Sequence, residues 1–352
     1  MRDPVVEEDL AIIAKNNEPL FHKLDGKTLL VTGGAGFLGA YFVELAAYWN
    51  EKYAKTPCQI YCMDTHIVSD AGRLSYLKGR PYFHDLEQSI LQPLPAGLKP
   101  DYILHCASIA SPIFYRKYPI ETMDANVLGT RNLLDYAKSN KIESMLFFST
   151  SEVYGDPPAD KIPTSEDYRG NVSCTGPRAC YDESKRFGET MCINFHQVHQ
   201  VPVKIARPFN VYGPGMRITD RRVLPDFFRD AFDGKDIVML SDGKATRSFC
   251  YVADGIDGFM KILLCEFNAM PFNIGNDAEE VSMSQTAQEV CHLFGDKNKV
   301  VYQISEDKHY LTDNPQRRCP NLARAREKLN YKPRVMLKEG LARLKSWYER
   351  NR

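Results

Sequence analysis

The sequence predicts an α/β fold, a doubly wound parallel sheet with a smaller C-terminal lobe, and three observations carry that expectation. Short runs that are apolar throughout alternate with longer amphipathic segments as far as Asn210. A glycine-rich turn joins the first apolar run to the first amphipathic segment. Beyond Pro208 the texture changes to short elements broken by Pro, Gly and Arg. The length agrees, since 352 residues suit two domains, or one α/β domain with a lobe, and can bury a sizeable core.

In chain order the apolar runs are TLLVTG at 28–33, QIYCMD at 59–64, YILHCAS at 102–108, SMLFFST at 144–150 and VKIARPFN at 203–210. Between them, helical periodicity covers 37–53, 120–139 and 181–198, and a further amphipathic stretch closes the chain at 337–350. Strands with no polar face, separated by helices, belong to a parallel sheet covered on both sides.

Composition excludes several classes. The 45 Lys and Arg balance the 45 Asp and Glu, so the chain is not built to track a nucleic-acid backbone, and any anionic ligand needs a local site. Hydrophobic residues at 43% and charged residues at 26% lie in the ordinary globular range, which excludes disorder. Ten cysteines without a CxxC pair read as free thiols in a reducing compartment. Residues 1–26 are acidic and lack the basic and apolar regions of a signal peptide, and no apolar run approaches the roughly 20 residues that span a bilayer. A cytoplasmic protein without membrane contact is expected. His196 and His199 share a helix face but have no third partner, so no metal site is expected.

Gly33, Gly36 and Gly39 form a GxxGxxG turn between the first strand and its helix. Missing side chains there permit a tight turn, close approach of a pyrophosphate and close helix packing, while the helix N-terminus, at Phe37 and Leu38, offers amide donors. Asp64 ends the next strand 25 residues past Gly39, where a carboxylate can bind the ribose hydroxyls of NAD and repel the 2′-phosphate of NADP. Asp85 is a candidate for the adenine. Together these signals describe a Rossmann domain that binds NAD.

Tyr181 and Lys185 stand four apart near a helix start, hence on one face about a turn apart. A free phenol titrates near 10, and a neighbouring lysine cation together with an oxidised nicotinamide favours the phenolate, so the pair can take a proton from a hydroxyl. Thr150, Ser151 and Glu152 end a central strand, at the edge where this architecture keeps its chemistry.

With these residues in place, the chain from Gly33 to the C-terminus resembles the extended short-chain dehydrogenase/reductase superfamily of NAD-dependent nucleotide-sugar enzymes. Within it the nearest likeness is to the UDP-glucuronate decarboxylases. That likeness is carried by Ala107-Ser108, Ala110-Ser111-Pro112 with Tyr115, Asn126 to Thr130, TSEVYGDP at 150–157, Gly176 to Arg186 and Asp242 to Phe249. The related 4,6-dehydratases, which the chain also resembles, read Asp-Glu where it reads Ser151-Glu152. The chain departs from the decarboxylase pattern at Thr65-His66 and at Pro208 to Met216.

The resemblance implies that Tyr181 takes the proton of a sugar C4 hydroxyl, that the 4-keto sugar then loses its C5 carboxylate, and that NADH is recycled internally. Lys185 would tune Tyr181 and hold the nicotinamide ribose, Ser151 would bond the C4 oxygen, and Glu152 would orient the sugar or a water at C5. Ala107, Ser108, Asn126 and Thr150 would line the cofactor, and Ser111, Tyr115, Arg178, Asn210, Arg247 and Arg317 the nucleotide sugar. Epimerisation at C4 and 4,6-dehydration are the alternative activities. The implied organisation is an N-terminal extension at 1–26, an NAD domain at 27–206 that also receives 248–275, and a nucleotide-sugar lobe from 207–247 and 276–352. The implied assembly is a homodimer joined through the helices at 120–139 and 181–198.

Overall fold

In the computed structural model, which describes residues 1–69, 71–303, 305 and 312–352, the five predicted runs become strands of one parallel sheet, which also contains two strands, at 83–87 and 271–274, that the sequence reading did not pick out. The strands are β1 (Thr28–Thr32), β2 (Gln59–Asp64), β3 (Phe83–Glu87), β4 (Tyr102–His105), β5 (Ser144–Phe148), β6 (Val203–Pro208) and β7 (Pro271–Ile274), in the order β7-β6-β5-β4-β1-β2-β3. The chain builds outward from β1 to β3, then crosses back to β4 and builds the other way. Where that order reverses, between β1 and β4, the strand ends leave a crevice.

The strands lack a polar face because both sides are covered. Leu29 and Val31 enter a core with Phe42 and Phe259, whereas Leu30 between them enters the opposite core with Leu133 and Phe195. The first core packs helices α2 (Phe37–Lys52) and α5 (Val252–Leu264); the second packs α3 (Thr130–Ser139) and α4 (Ala179–His199). A last helix, α6 (Leu337–Asn351), buries Leu341, Leu344 and Tyr348.

Two elements differ from the sequence expectation. The segment at 120–139 is not one helix: a short helix, Pro119–Asp124, passes into a wide π turn, Ala125–Gly129, before α3. A Cβ on Gly129 would come within 2.6 Å of Ile90, so the close approach there demands glycine. The turn carries Asn126 into the interior, where its Nδ2 donates to Ser184 Oγ at 2.9 Å.

The other is the start of the chain, where α1 (Pro4–Asn16) begins with Asp3 capping Val5 N–H and Pro4 in the first turn. Its apolar stripe, Val6, Leu10, Ile13 and Ala14, is fully buried against α2 and α5. Asp9, on the same face, accepts from Tyr251 Oη at 2.8 Å and Tyr41 Oη at 3.2 Å and pairs with Arg343 of α6 at 3.2 Å. An acidic, polar-looking segment is thereby part of the core.

Candidate active site

The crevice between β1 and β4 opens into a cleft of ≈ 1470 Å³ that runs from the glycine turn to the C-terminal lobe. Gly33 has φ +66, and a Cβ there would lie 2.7 Å from Ala107 backbone; a Cβ on Gly39 would lie 2.1 Å from Gly33 O. Both positions therefore require glycine. Gly36 precedes α2 with no side-chain cap, which leaves the amides of the first turn, at Phe37 and Leu38, for a ligand in the cleft they line. Asp64 lines the cleft at the end of β2, its carboxylate accepting from Ala35 N at 3.0 Å, His66 N at 2.8 Å and Ser69 Oγ at 2.8 Å.

Asp85 does not join them. On β3 it pairs in register with Cys62, in the middle of the sheet, while Glu87 is the residue level with Asp64. It is exposed, forms an ion pair with Lys78 at 3.3 Å, and is not among the residues lining the cleft.

Ala107 and Ser108 follow β4 on the far wall, and Ser108 Oγ is buried with no hydrogen-bond partner. Asn126 lies behind that wall; its Oδ1 is also buried and unpartnered. Two orphaned oxygens, a turn that no Cβ could enter and an uncapped helix start fit the polar edges and diphosphate of a dinucleotide. Gly33, Gly36, Phe37, Leu38, Gly39 and Asp64 are the residues that would hold it.

Tyr181 and Lys185 point from the first turns of α4 toward the cleft, beyond Thr150. The Tyr181 ring stacks on Tyr115, with centroids 5.2 Å apart and planes within 7°. Burial pushes the Tyr181 phenol up to about 12, and a hydrogen bond with Thr150 offsets part of that rise. Lys185 Nζ donates to the Phe148 carbonyl at 2.7 Å and stands 5.9 Å from the Tyr181 ring centroid, while burial pushes it down to about 7. Burial thus disfavours the charge on both side chains, and Lys185 is not among the leading groups that act on the phenol.

Thr150 caps a tight turn, Ser151–Tyr154, by accepting from Glu152 N at 3.2 Å. Glu152 is gripped by two arginines. Arg178 donates to Oε2, and Arg318 donates to the same oxygen at 2.8 Å while its other arm reaches the Ser151 carbonyl at 2.6 Å. Burial would raise Glu152, but Arg318, Arg178 and Arg247 outweigh it and hold the carboxyl below its ordinary value.

On the lobe side, Ser111 Oγ donates to Asp220 O at 2.8 Å, and Tyr115 Oη is buried without a partner. Asn210 Nδ2 donates to Ser248 O at 3.3 Å, and Arg247 Nη2 to Asn314 Oδ1 at 3.0 Å. All four line the cleft. Arg317 does not, since it pairs with Glu280 at 2.8 and 2.7 Å on the other side of its strand. Residues 317 and 318 lie beside Thr246 and Arg247 in a small sheet, and alternation sends neighbours to opposite faces. Arg318, buried on Glu152, is the residue that the sequence reading missed. The run Gln316-Arg317-Arg318 signalled an arginine there, but not which one turns inward.

Fold and site together define a dinucleotide-dependent enzyme of the short-chain dehydrogenase/reductase class, with a tyrosine and lysine at the heart of the cleft. The chain belongs to the NAD dependent epimerase/dehydratase family, whose profile matches residues 29–275. It is 39% identical over 313 residues to UDP-glucuronic acid decarboxylase 6 of Arabidopsis thaliana, covering 89% of this chain and 86% of that one. It is 36% identical over 317 residues to UDP-glucuronic acid decarboxylase 1 of Xenopus tropicalis, covering 90% and 71%. Among solved structures it resembles the epimerase Mth375 of Methanothermobacter thermautotrophicus, with a TM-score of 0.79 at 26% identity over 95% of both chains. Among the described residues, no helix is long and apolar enough to cross a membrane.

Proposed function

We propose that this protein is an NAD-dependent decarboxylase acting on UDP-glucuronate and yielding UDP-xylose through a 4-keto sugar. The observation that carries the reading is the state of Glu152 beside Ser151: its carboxyl group is clamped as a carboxylate by Arg318 and Arg178. Dehydration needs an acid to protonate a departing hydroxyl, and neither a clamped carboxylate nor a serine supplies one. Loss of carbon dioxide from a β-keto acid needs no such donor. The decarboxylase relatives support the same activity.

NAD, which Gly33, Gly36, Phe37, Leu38, Gly39 and Asp64 would hold, would supply a reversible hydride acceptor for C4 and a positive charge that favours the Tyr181 phenolate, with none consumed over the cycle. Tyr181 accepts the C4 hydroxyl proton and later gives it back, with Ser151 bonding the C4 oxygen. Lys185 holds the ribose and Tyr181 in place. Glu152 orients the sugar and a water at C5, and that water gives its proton to the enolate left by carbon dioxide. Ser111, Tyr115, Asn210 and Arg247 hold the nucleotide sugar, and Asp64 holds the adenosine ribose. Asn126 acts from behind the wall, through Ser184.

We divide the chain into an NAD domain, 27–206 with 248–275, and a substrate lobe, 207–247 with 276–352. The ten unpaired thiols suit the cytoplasm. A homodimer is supported by exposed Ile120, Leu128, Phe187 and Val198 on adjoining helical segments. The function is tested by incubating the NAD-loaded protein with UDP-glucuronate and with UDP-glucose and weighing the products. Release of carbon dioxide from the first and no change in the second is expected. Dehydration of the glucose compound, or an epimer of unchanged mass, replaces the reading with one of its two alternatives.

A further inference from the structure

Behind the cleft wall, Asp182 lies one residue past Tyr181, is 5% exposed, and is not among the residues that line the cleft. Its Oδ2 faces Arg178 Nε at 3.6 Å, one helical turn back, an ion pair without a hydrogen bond, and both that Nε and Asp182 Oδ1 are buried with no hydrogen-bond partner. Arg178 precedes α4, and its far nitrogen is the one that grips Glu152. Two carboxylates thus face the same Nε–Nη2 edge of one guanidinium, and only Glu152 and Arg178 reach the cleft.

We propose that Asp182 is a positioning residue for the reaction: its carboxylate, facing Arg178 Nε, fixes that edge of the guanidinium so that the neighbouring Nη2 stays on Glu152. The inference rests on the decarboxylase reading. The groups facing Asp182 are Tyr181 and Cys180 on its own helix, Arg178 at that helix's N-cap, Glu152 on the turn after β5, Arg318 on the strand at 317–318, Asp313 on the preceding loop, and Tyr115 across the cleft wall. When Asp182 binds a proton, Arg178 loses its anchor. Burial and then the Glu152 charge push Asp182 up to about 7, against the pull of Arg178 and Arg318. The anchored state therefore fills as pH rises through neutrality.

The test compares NAD-loaded wild type, Asp182→Asn, Asp182→Glu, Arg178→Gln and the double variant Arg178→Gln with Asp182→Asn. Carbon dioxide release and nicotinamide absorbance are followed from pH 5.5 to 8.5. Asp182→Asn should lower kcat on UDP-glucuronate roughly ten- to a hundredfold, as loss of precise alignment does. It should also abolish the rise of activity near neutral pH and leave NAD affinity unchanged. Asp182→Glu should restore that rise. The double variant should be no slower than Arg178→Gln alone, because both changes remove one interaction. Independent, multiplying effects of the two substitutions, or an acid limb that survives in Asp182→Asn, overturn the proposal. A wild type that oxidises UDP-glucuronate without releasing carbon dioxide overturns the decarboxylase reading instead, and the comparison is then read from the nicotinamide absorbance.

Discussion

Arg318 donates to Glu152 Oε2 at 2.8 Å across 166 residues of sequence, and the same guanidinium reaches the Ser151 carbonyl at 2.6 Å. One side chain from the C-terminal lobe thereby sets the shape of the dipeptide at the end of β5. Breaking a buried pair leaves an uncompensated charge and costs about 3–5 kcal/mol. Arg318→Met should lower the melting temperature and reduce turnover at least about tenfold, whereas Arg317→Met, which loses only the outward pair with Glu280, should leave turnover close to wild type. Equal effects of the two substitutions would contradict the assignment of the inward arginine.

Tyr181→Phe should keep NAD and nucleotide-sugar binding and lower turnover at least about a hundredfold, since a positioned base contributes roughly 10² to 10⁴. Burial holds the phenol up at about 12, so the protein without NAD should show no phenolate from Tyr181 at pH 8. Ultraviolet difference spectra of wild type and Tyr181→Phe, each with and without NAD, check both statements; the phenolate signal should strengthen only when NAD is present.

Asp64 faces the cleft and would meet the 2′-phosphate of NADP at short range, with like-charge repulsion and lost ribose hydrogen bonds. NAD should raise the melting temperature more than NADP at equal concentration, and Asp64→Asn should narrow the gap. Equal stabilisation of the wild type by the two would remove Asp64 as the ribose ligand.

Asp9 ties α1 to Tyr41, Tyr251 and Arg343, and burial pushes its carboxyl up to about 7. A folded-state value above the unfolded one means that the folded protein binds the proton more tightly. The stabilisation this gives is complete at low pH, below the unfolded value of about 4, and is lost as pH rises toward 7. Relative to Asp9→Asn, which does not titrate, the wild type should lose melting temperature steadily from pH 4 to pH 7 and change little above that. A constant difference across the range would show that Asp9 is not raised.

Phe187 and Leu128 are large apolar residues half open to solvent on adjoining helical segments. Phe187→Glu with Leu128→Asp should convert the proposed homodimer to a monomer by light scattering without changing the circular dichroism of the fold. A wild type that is already monomeric removes the dimer.

The sheet, its two cores, the glycine turn, Asp64, the Tyr181–Lys185 spacing and the Ser151-Glu152 dipeptide were legible in the sequence, because each rests on a local signal. Those signals are short runs apolar throughout, helical periodicity of 3.6 residues, a glycine triplet after a strand, and residues four apart on a helix. Tertiary structure alone decided the rest. Arg317 and Arg318 are adjacent and chemically identical, so only the pairing of their strand with Thr246–Arg247 determined which one faces Glu152. Asp85 was a candidate for the adenine, but the register of β3 on β2 sets it two residues short of the edge, where Glu87 is level with Asp64. Residues 1–26 read as an acidic extension because their average is polar, yet α1 buries one stripe against α2 and α5, and a stripe finds its partner only when the chain has folded. Lys185 shows the same limit: spacing put it beside Tyr181, but burial and the nearby Phe148 carbonyl decided where its ammonium points.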